Sequence, residues 1–343
     1  MQKKLIALAV AGLVSAPAFA QSNVTVYGVA DAYMGFGSHD DKDMSAINSG
    51  GLSGSRIGFR GTEDLGNGLK AVFTVEQGIE LDDSVDSSGD VGLGGKARQS
   101  FVGLAGGFGA VTLGRQYAPG YDNIVDAFGN SSILSPQAIL TGSEGSTIVA
   151  AGGARWDSSI AYNGAFSGLK VRAIYSMGAV EVAEEEGDDD AIGLGLDYSN
   201  GPLRVAAVYQ VLQNDAEDQK EWSLGGSYNF GVATLTAFYQ DAKSLKYTED
   251  NDMDLWQVGL IVPVGAAGNV HLGYGQADYD RLDADAKSYS IAYTHALSKR
   301  TTAYVGYNRT TNDDGVAKGV VAAPTGVTGE NANVVAVGMR HVF

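Results

Sequence analysis

Cysteine is absent from all 343 residues, so no disulfide and no thiol chemistry supports this chain. Only six residues are proline, which argues against a linker-like or disordered chain. No stretch beyond residue 20 offers the roughly 20 apolar residues of a membrane-spanning helix. Histidine occurs four times (His39, His271, His295, His341) without the spacing of a metal site. There is no Gly-x-Ser-x-Gly elbow, and the many Ser and Asp lack a matched His. Positive charge is scarce too: 23 Lys and Arg face 40 Asp and Glu, for a net charge of −17. Binding to nucleic acid by counterion release is thereby excluded.

What is present begins with a secretory signal pattern. Lys3 and Lys4 form a charged start, Leu5 to Val14 an apolar stretch, and Ala18-Phe19-Ala20 a small-x-small cleavage site. Residues 1–20 are therefore expected to be removed, which leaves 21–343 and takes the charge to −19 by the loss of two lysines. The acids cluster at Asp40 to Asp43, Asp82-Asp83, Glu184 to Asp190 and Asp250 to Asp254. None has the spacing of a calcium-binding loop, and solvated loop tips are the expected reading.

The remainder alternates. In 168–178, Leu169, Val171, Ala173 and Tyr175 oppose Lys170, Arg172 and Ser176; in 220–230, Trp222, Leu224, Tyr228 and Phe230 oppose Ser223, Ser227 and Asn229. Such period-two runs recur about sixteen times, each near the length that crosses a bilayer at a tilt. Short connections carry Gly and Asn, as in Asp64-Leu65-Gly66-Asn67-Gly68 and Ser199-Asn200-Gly201-Pro202, the chemistry of tight hairpins. Longer polar connections alternate with them, including 37–53 and 118–153. Short turns on one rim and long loops on the other, a secretory start and a last strand ending on Phe343 predict an all-β, sixteen-stranded antiparallel transmembrane β-barrel. Trp156, Tyr198, Trp222, Tyr239 and Tyr307 are expected in aromatic girdles.

Several blocks carry a family resemblance: Val24-Thr-Val-Tyr-Gly-Val-Ala-Asp31, Ser55-Arg-Ile-Gly-Phe-Arg-Gly-Thr-Glu-Asp-Leu-Gly66, Arg98-Gln-Ser-Phe-Val-Gly-Leu104, Gly114-Arg-Gln-Tyr117 and Val337-Gly-Met-Arg-His-Val-Phe343. They resemble the general diffusion porins of β-proteobacteria over essentially the whole mature chain. The resemblance implies a homotrimer in the outer membrane, with short periplasmic turns, long extracellular loops and a third loop, here 118–153, folded into the lumen. It implies passage of ions and small hydrophilic solutes with no reaction and no cofactor. It also implies contact with lipopolysaccharide, and delivery by the barrel-assembly machinery with Phe343 as the assembly signal.

By the same resemblance, Arg56, Arg98 and Arg155 line the constriction wall with Glu76, while Asp122, Asp126 and Glu144 belong to the inserted loop. Alternation puts Arg56 in phase with Arg60, Arg98 with Ser100, and Arg155 with Asp157 and Ser159. Arg115 shares phase with Val111 and Leu113 and reaches the lumen only if the strand ends or bulges. Guanidinium groups stay charged and are weakly hydrated, so a ring of them in a narrow pore favours anions. Weak anion selectivity is the expectation. The alternatives are a sugar or organic-acid channel, for which Tyr27, Tyr117 and Tyr121 offer thin support, and more remotely an adhesin or outer-membrane enzyme.

Overall fold

A computed structural model of the protein describes residues 23–39, 42–82, 97–129, 132–142, 144–149, 152–178, 189–280, 284–320 and 328–343. The expected signal peptide and the acids at 40–41, 83 and 184–188 lie outside the described residues. The strands are β1 (Asn23–His39), β2 (Lys42–Ser49), β3 (Arg56–Gly66), β4 (Leu69–Gly78), β5 (Ala97–Gly106), β6 (Gly109–Tyr117), β7 (Arg155–Phe166), β8 (Leu169–Met177), β9 (Asp190–Asn200), β10 (Leu203–Leu212), β11 (Gln219–Asn229), β12 (Thr234–Lys243), β13 (Met253–Val264), β14 (Gly268–Tyr279), β15 (Ala284–Ala296), β16 (Thr301–Asn312) and β17 (Ala332–Val342). Among the described residues between β6 and β7 lie two short α-helices, α1 (Pro119–Asp122) and α2 (Pro136–Thr141), and a 3-10 turn at Gly152–Ala154. All strand pairs are antiparallel, and β1 pairs with β17, so the sheet closes on itself and leaves no edge in lipid.

These seventeen strands make sixteen barrel staves. Residues 42–49, expected to lie in a loop, form β2, which pairs with Ala32–His39 of β1, while β3 pairs with Asn23–Val29 of the same strand. β2 and β3 are thus two halves of one stave, parted at residues 50–55. Asp31 holds the break open. Its Oδ2 accepts the N–H groups of Leu52 (2.8 Å) and Ser53 (2.9 Å), and its Oδ1 accepts the Tyr304 hydroxyl (2.7 Å). Alternation could not reveal β2, because its short run begins among acids and ends at an irregular turn.

The outside of the barrel is apolar: Val102, Leu113, Leu224, Val258, Ile291 and Val337 are all exposed. Phe108, Phe166, Tyr198, Tyr228 and Phe230 mark the short-turn rim, and Tyr175, Tyr209, Trp222 and Trp256 lie toward the long-loop rim. These are the two aromatic belts of an outer-membrane barrel. Trp156 does not join them. It is 1% exposed and packs inside the barrel with Ala118, Ala161, Ile174, Ala191 and Leu212, because Ser158 (φ 42°) interrupts the alternation of β7.

At the seam, Gly28 and Phe343 exchange both backbone hydrogen bonds at 3.1 Å. The Phe343 ring occupies the space a Cβ on Gly28 would need, and the carbonyl of Arg56 bounds that space at 2.6 Å. Deleting Phe343 removes two backbone bonds and the ring cover, each bond worth about 1 kcal/mol. Either that deletion or Gly28→Val is expected to lower the fraction of heat-modifiable folded barrel in outer membranes, read by gel mobility with and without boiling. Normal folded levels in both variants would contradict a role for this seam in assembly.

Candidate functional site

The loop between β6 and β7 enters the barrel and lies against the inner wall of β9 to β17. Polar side chains on that wall seat it. Gln210 Oε1 accepts the N–H of Gly120 (2.6 Å), Gln257 Oε1 accepts that of Gln137 (3.0 Å), and Gln240 Nε2 donates to Ser146 Oγ (2.7 Å). Asn123 of the loop donates to the carbonyls of Leu196 (3.1 Å) and Ala207 (3.2 Å). Glu221 is the hub: it accepts the Thr147 N–H (2.8 Å) and hydroxyl (2.8 Å), the Ser146 hydroxyl (2.6 Å) and Gln219 Nε2 (2.7 Å). Ile124, Val125, Leu140 and Ile148 of the loop complete an apolar cluster with wall residues such as Val208, Phe238 and Leu255. Glycines make room for the approach. A Cβ on Gly195 would stand 2.7 Å from Pro119, on Gly225 2.7 Å from Val125, and on Gly259 2.6 Å from Ala127.

Opposite this seat, basic side chains converge. Arg98 Nε donates to Glu76 Oε1 (2.8 Å) and Arg56 Nε stands 3.6 Å from Glu76 Oε2. The Tyr27 hydroxyl donates to Glu76 Oε2 at 2.9 Å. Arg98 Nη2 (2.7 Å) and Arg155 Nη2 (3.2 Å) both donate to the Tyr117 hydroxyl. Arg155 also lies over the Tyr117 ring, 4.8 Å from its centroid, and Tyr121 stacks against Tyr117 at 3.8 Å. Arg56 is aimed by the broken stave: its Nη1 donates to Ser53 Oγ (2.8 Å) and Gly54 O (2.7 Å).

Arg98 reaches this cluster by a route alternation did not reveal. Ser100, Val102 and Leu104 are exposed, so a regular strand would turn Arg98 outward with them. The pairing shifts between Glu76↔Gln99 and Gln77↔Ala97, which leaves Arg98 as the extra residue of a bulge and swings it to Glu76. β6 and β7 bulge as well, between Gly114 and Gln116, yet Arg115 is not brought to the cluster. It binds Asp157 Oδ1 (2.5 Å) and the carbonyl of Ala97 (2.7 Å).

The three loop acids each have a partner elsewhere. Asp122 pairs with Arg172, and Glu144 with Lys318 of the β16–β17 connection. Asp126 is half-buried and accepts the Phe128 N–H (2.7 Å) and the Ser135 hydroxyl. Burial pushes the Asp126 carboxyl above its usual range, against the smaller opposing effect of those hydrogen bonds. The folded state therefore binds this proton more tightly than the unfolded state. The stability it contributes is full below about pH 4 and declines as pH rises through the raised value. Asp126→Asn is expected to flatten that part of the stability-versus-pH curve, measured by thermal denaturation; an unchanged slope would contradict it.

A closed barrel, apolar outside and polar within, with the β6–β7 loop seated on its inner wall, defines a water-filled channel through an outer membrane. The family model for Gram-negative porins matches residues 7–315. The chain is 35% identical to outer membrane porin protein 32 of Delftia acidovorans, with 100% of each chain covered. It is 31% identical to an outer membrane porin of Bordetella pertussis, covering 89% of this chain and 93% of that one. Among solved structures, the anion-selective porin from Comamonas acidovorans superposes with a TM-score of 0.82 at 30% identity, covering 94% and 100% of the two chains. The chain belongs to the Gram-negative porin family. It is an outer-membrane porin, a channel for passive diffusion of ions and small hydrophilic solutes.

Proposed function

We propose that this porin is weakly anion-selective, that Arg56, Arg98 and Arg155 set the preference, and that it works as a homotrimer whose leader, residues 1–20, is removed on export. The observation that carries the selectivity is the charge balance of the constriction. Arg56 and Arg98 share one carboxylate, Glu76, and the third guanidinium, Arg155, has no carboxylate partner among the described residues. The acids that could cancel them are occupied, Asp122 by Arg172, Glu144 by Lys318, and Asp126 by the Ser135 hydroxyl and the Phe128 N–H within the loop. The remaining negative charge of the chain is diluted over loops, where salt screens it beyond about 8–10 Å. The relative from Comamonas acidovorans is itself named anion-selective, which supports the same reading. Membership of the family supports delivery by the barrel-assembly machinery and contact with lipopolysaccharide as part of the same reading.

Single-channel recording of the refolded protein under a KCl gradient tests this. An anion-signed reversal potential with steps grouped in threes is expected. A cation-signed potential would overturn the selectivity, and ungrouped single steps would overturn the trimer.

A further inference from the structure

Residues 313–320, which follow β16, fold back against the inserted loop. Val316, Lys318 and Val320 are buried while Ala317 and Gly319 between them are half-buried, so alternate side chains face inward. Val316 joins the apolar cluster of Leu140, and Val320 joins that of Ile139, both from α2. Between these two anchors stands Lys318, its side chain 4% exposed. Its Nζ binds Glu144 Oε1, just beyond α2, and lies 5.0 Å from the centroid of the Tyr279 ring. The Tyr279 hydroxyl in turn donates to the carbonyl of Leu140 (2.7 Å). The Lys318 backbone is fixed as well: Asn312 Oδ1 accepts its N–H (3.0 Å) and Asn312 Nδ2 donates to its carbonyl (2.9 Å). A second lysine, Lys246 of the β12–β13 connection, runs beside the residue after Glu144; a Cβ on Gly145 would stand 2.7 Å from Lys246 Cγ.

A buried ion pair is often no more stabilising than well-packed apolar side chains of the same volume. Packing alone therefore gives no reason for a lysine between two valines; what the lysine supplies is charge. We infer that Lys318 is a specificity-determining residue of this channel: the β16–β17 connection brings its ammonium group onto the inserted loop and cancels Glu144, an acid that would otherwise favour cations. Lys318 touches no solute in this role and acts through Glu144. The Glu144 side chain is 21% exposed, so its carboxylate stays open to water and its field reaches passing ions once the ammonium group is gone. A ring or a single charge in a narrow, low-dielectric passage sets ion preference. One unit charge a few ångströms from the ion path changes that preference about fivefold. The inference deepens the anion-selective reading, on which it rests only for the sign of the wild-type potential. It places part of the preference on an outer connection, 174 positions from the acid it serves and away from the arginine wall.

The test is a cycle of reversal potentials in a KCl gradient for the wild-type channel, Lys318→Gln, Glu144→Gln and the double variant. Lys318→Gln is expected to lower the chloride-to-potassium permeability ratio about fivefold. Glu144→Gln is expected to raise the ratio, and the double variant to return it to the wild-type value, because the net charge of the pair is again zero. A merely structural lysine would give the double variant the same shift as Lys318→Gln, and that result overturns the inference. A wild-type ratio in Lys318→Gln overturns it too. Should Lys318→Gln not yield folded barrel, as read by gel mobility with and without boiling, Glu144→Gln against the double variant isolates the same ammonium charge, and equal ratios in those two overturn the inference. A cation-signed wild-type potential defeats the anion-selective reading alone, since the cycle is scored on differences from the wild type.

Discussion

Replacing Arg56, Arg98 and Arg155 together by glutamine turns the reversal potential in a KCl gradient from the anion sign to the cation sign. The substitutions remove three positive charges and leave Glu76, whose side chain is 5% exposed, as the remaining charge of the cluster. One unit charge at 4 Å is worth about 1 kcal/mol even in bulk water, and more beside low-dielectric walls. Three of them account for about a hundredfold change in ion preference. Arg155→Gln alone leaves the two arginines on Glu76 and is expected to move the potential part of the way. If the triple variant folds, conducts and keeps its anion sign, the selectivity lies elsewhere in the pore.

The second large effect is expected at Glu221, which touches no solute. Glu221→Ala strips the acceptor from the Thr147 N–H and hydroxyl, the Ser146 hydroxyl and Gln219, all in a buried setting. Hydrogen bonds to a charged group are worth about 1.5–3 kcal/mol each, and a stranded buried donor costs about as much. The loss is thus on the order of 5 kcal/mol, and it falls on the loop, because the wall strand keeps its ladder bonds on both sides. Single-channel conductance should rise and become noisier, and the melting temperature should fall. Glu221→Gln keeps the shape but offers one acceptor oxygen where two are used, and should show a smaller change in the same direction. Conductance and melting both unchanged in Glu221→Ala would show that the loop is held by its apolar contacts.

Much of the barrel was legible because lipid and water impose a strict period of two on each strand, and hairpins demand Gly or Asn. What alternation could not reveal were departures from that period. Arg98 was expected in phase with Ser100, yet it reaches Glu76 because a one-residue bulge reverses its side. Trp156 was expected at a membrane interface, yet it is buried inside because Ser158 breaks the phase of β7. Glu221 and the glutamines Gln210, Gln240 and Gln257 passed unremarked because they resemble any other polar residues on a lumen face. Their partners lie far away in sequence; Gln257 and Gln137 are 120 positions apart. Arg56, Arg98, Arg155 and Glu76 could be singled out only because the motif blocks around them carried a resemblance.

The placement of that loop bears on the order in which the molecule is built. Residues 118–154 leave the ribosome before every strand that seats them, since Gln210, Glu221, Gln240, Gln257 and Tyr279 all follow. The hairpins around β3 to β6 form from neighbours in sequence, but the loop has nothing to dock on until β10 to β14 have joined the sheet. Contacts of such long range are slow to form, because chain entropy is spent before they repay it. Loop docking is therefore expected to be a late event, separable from closure of the wall. A barrel caught before that event is expected to be open-bored.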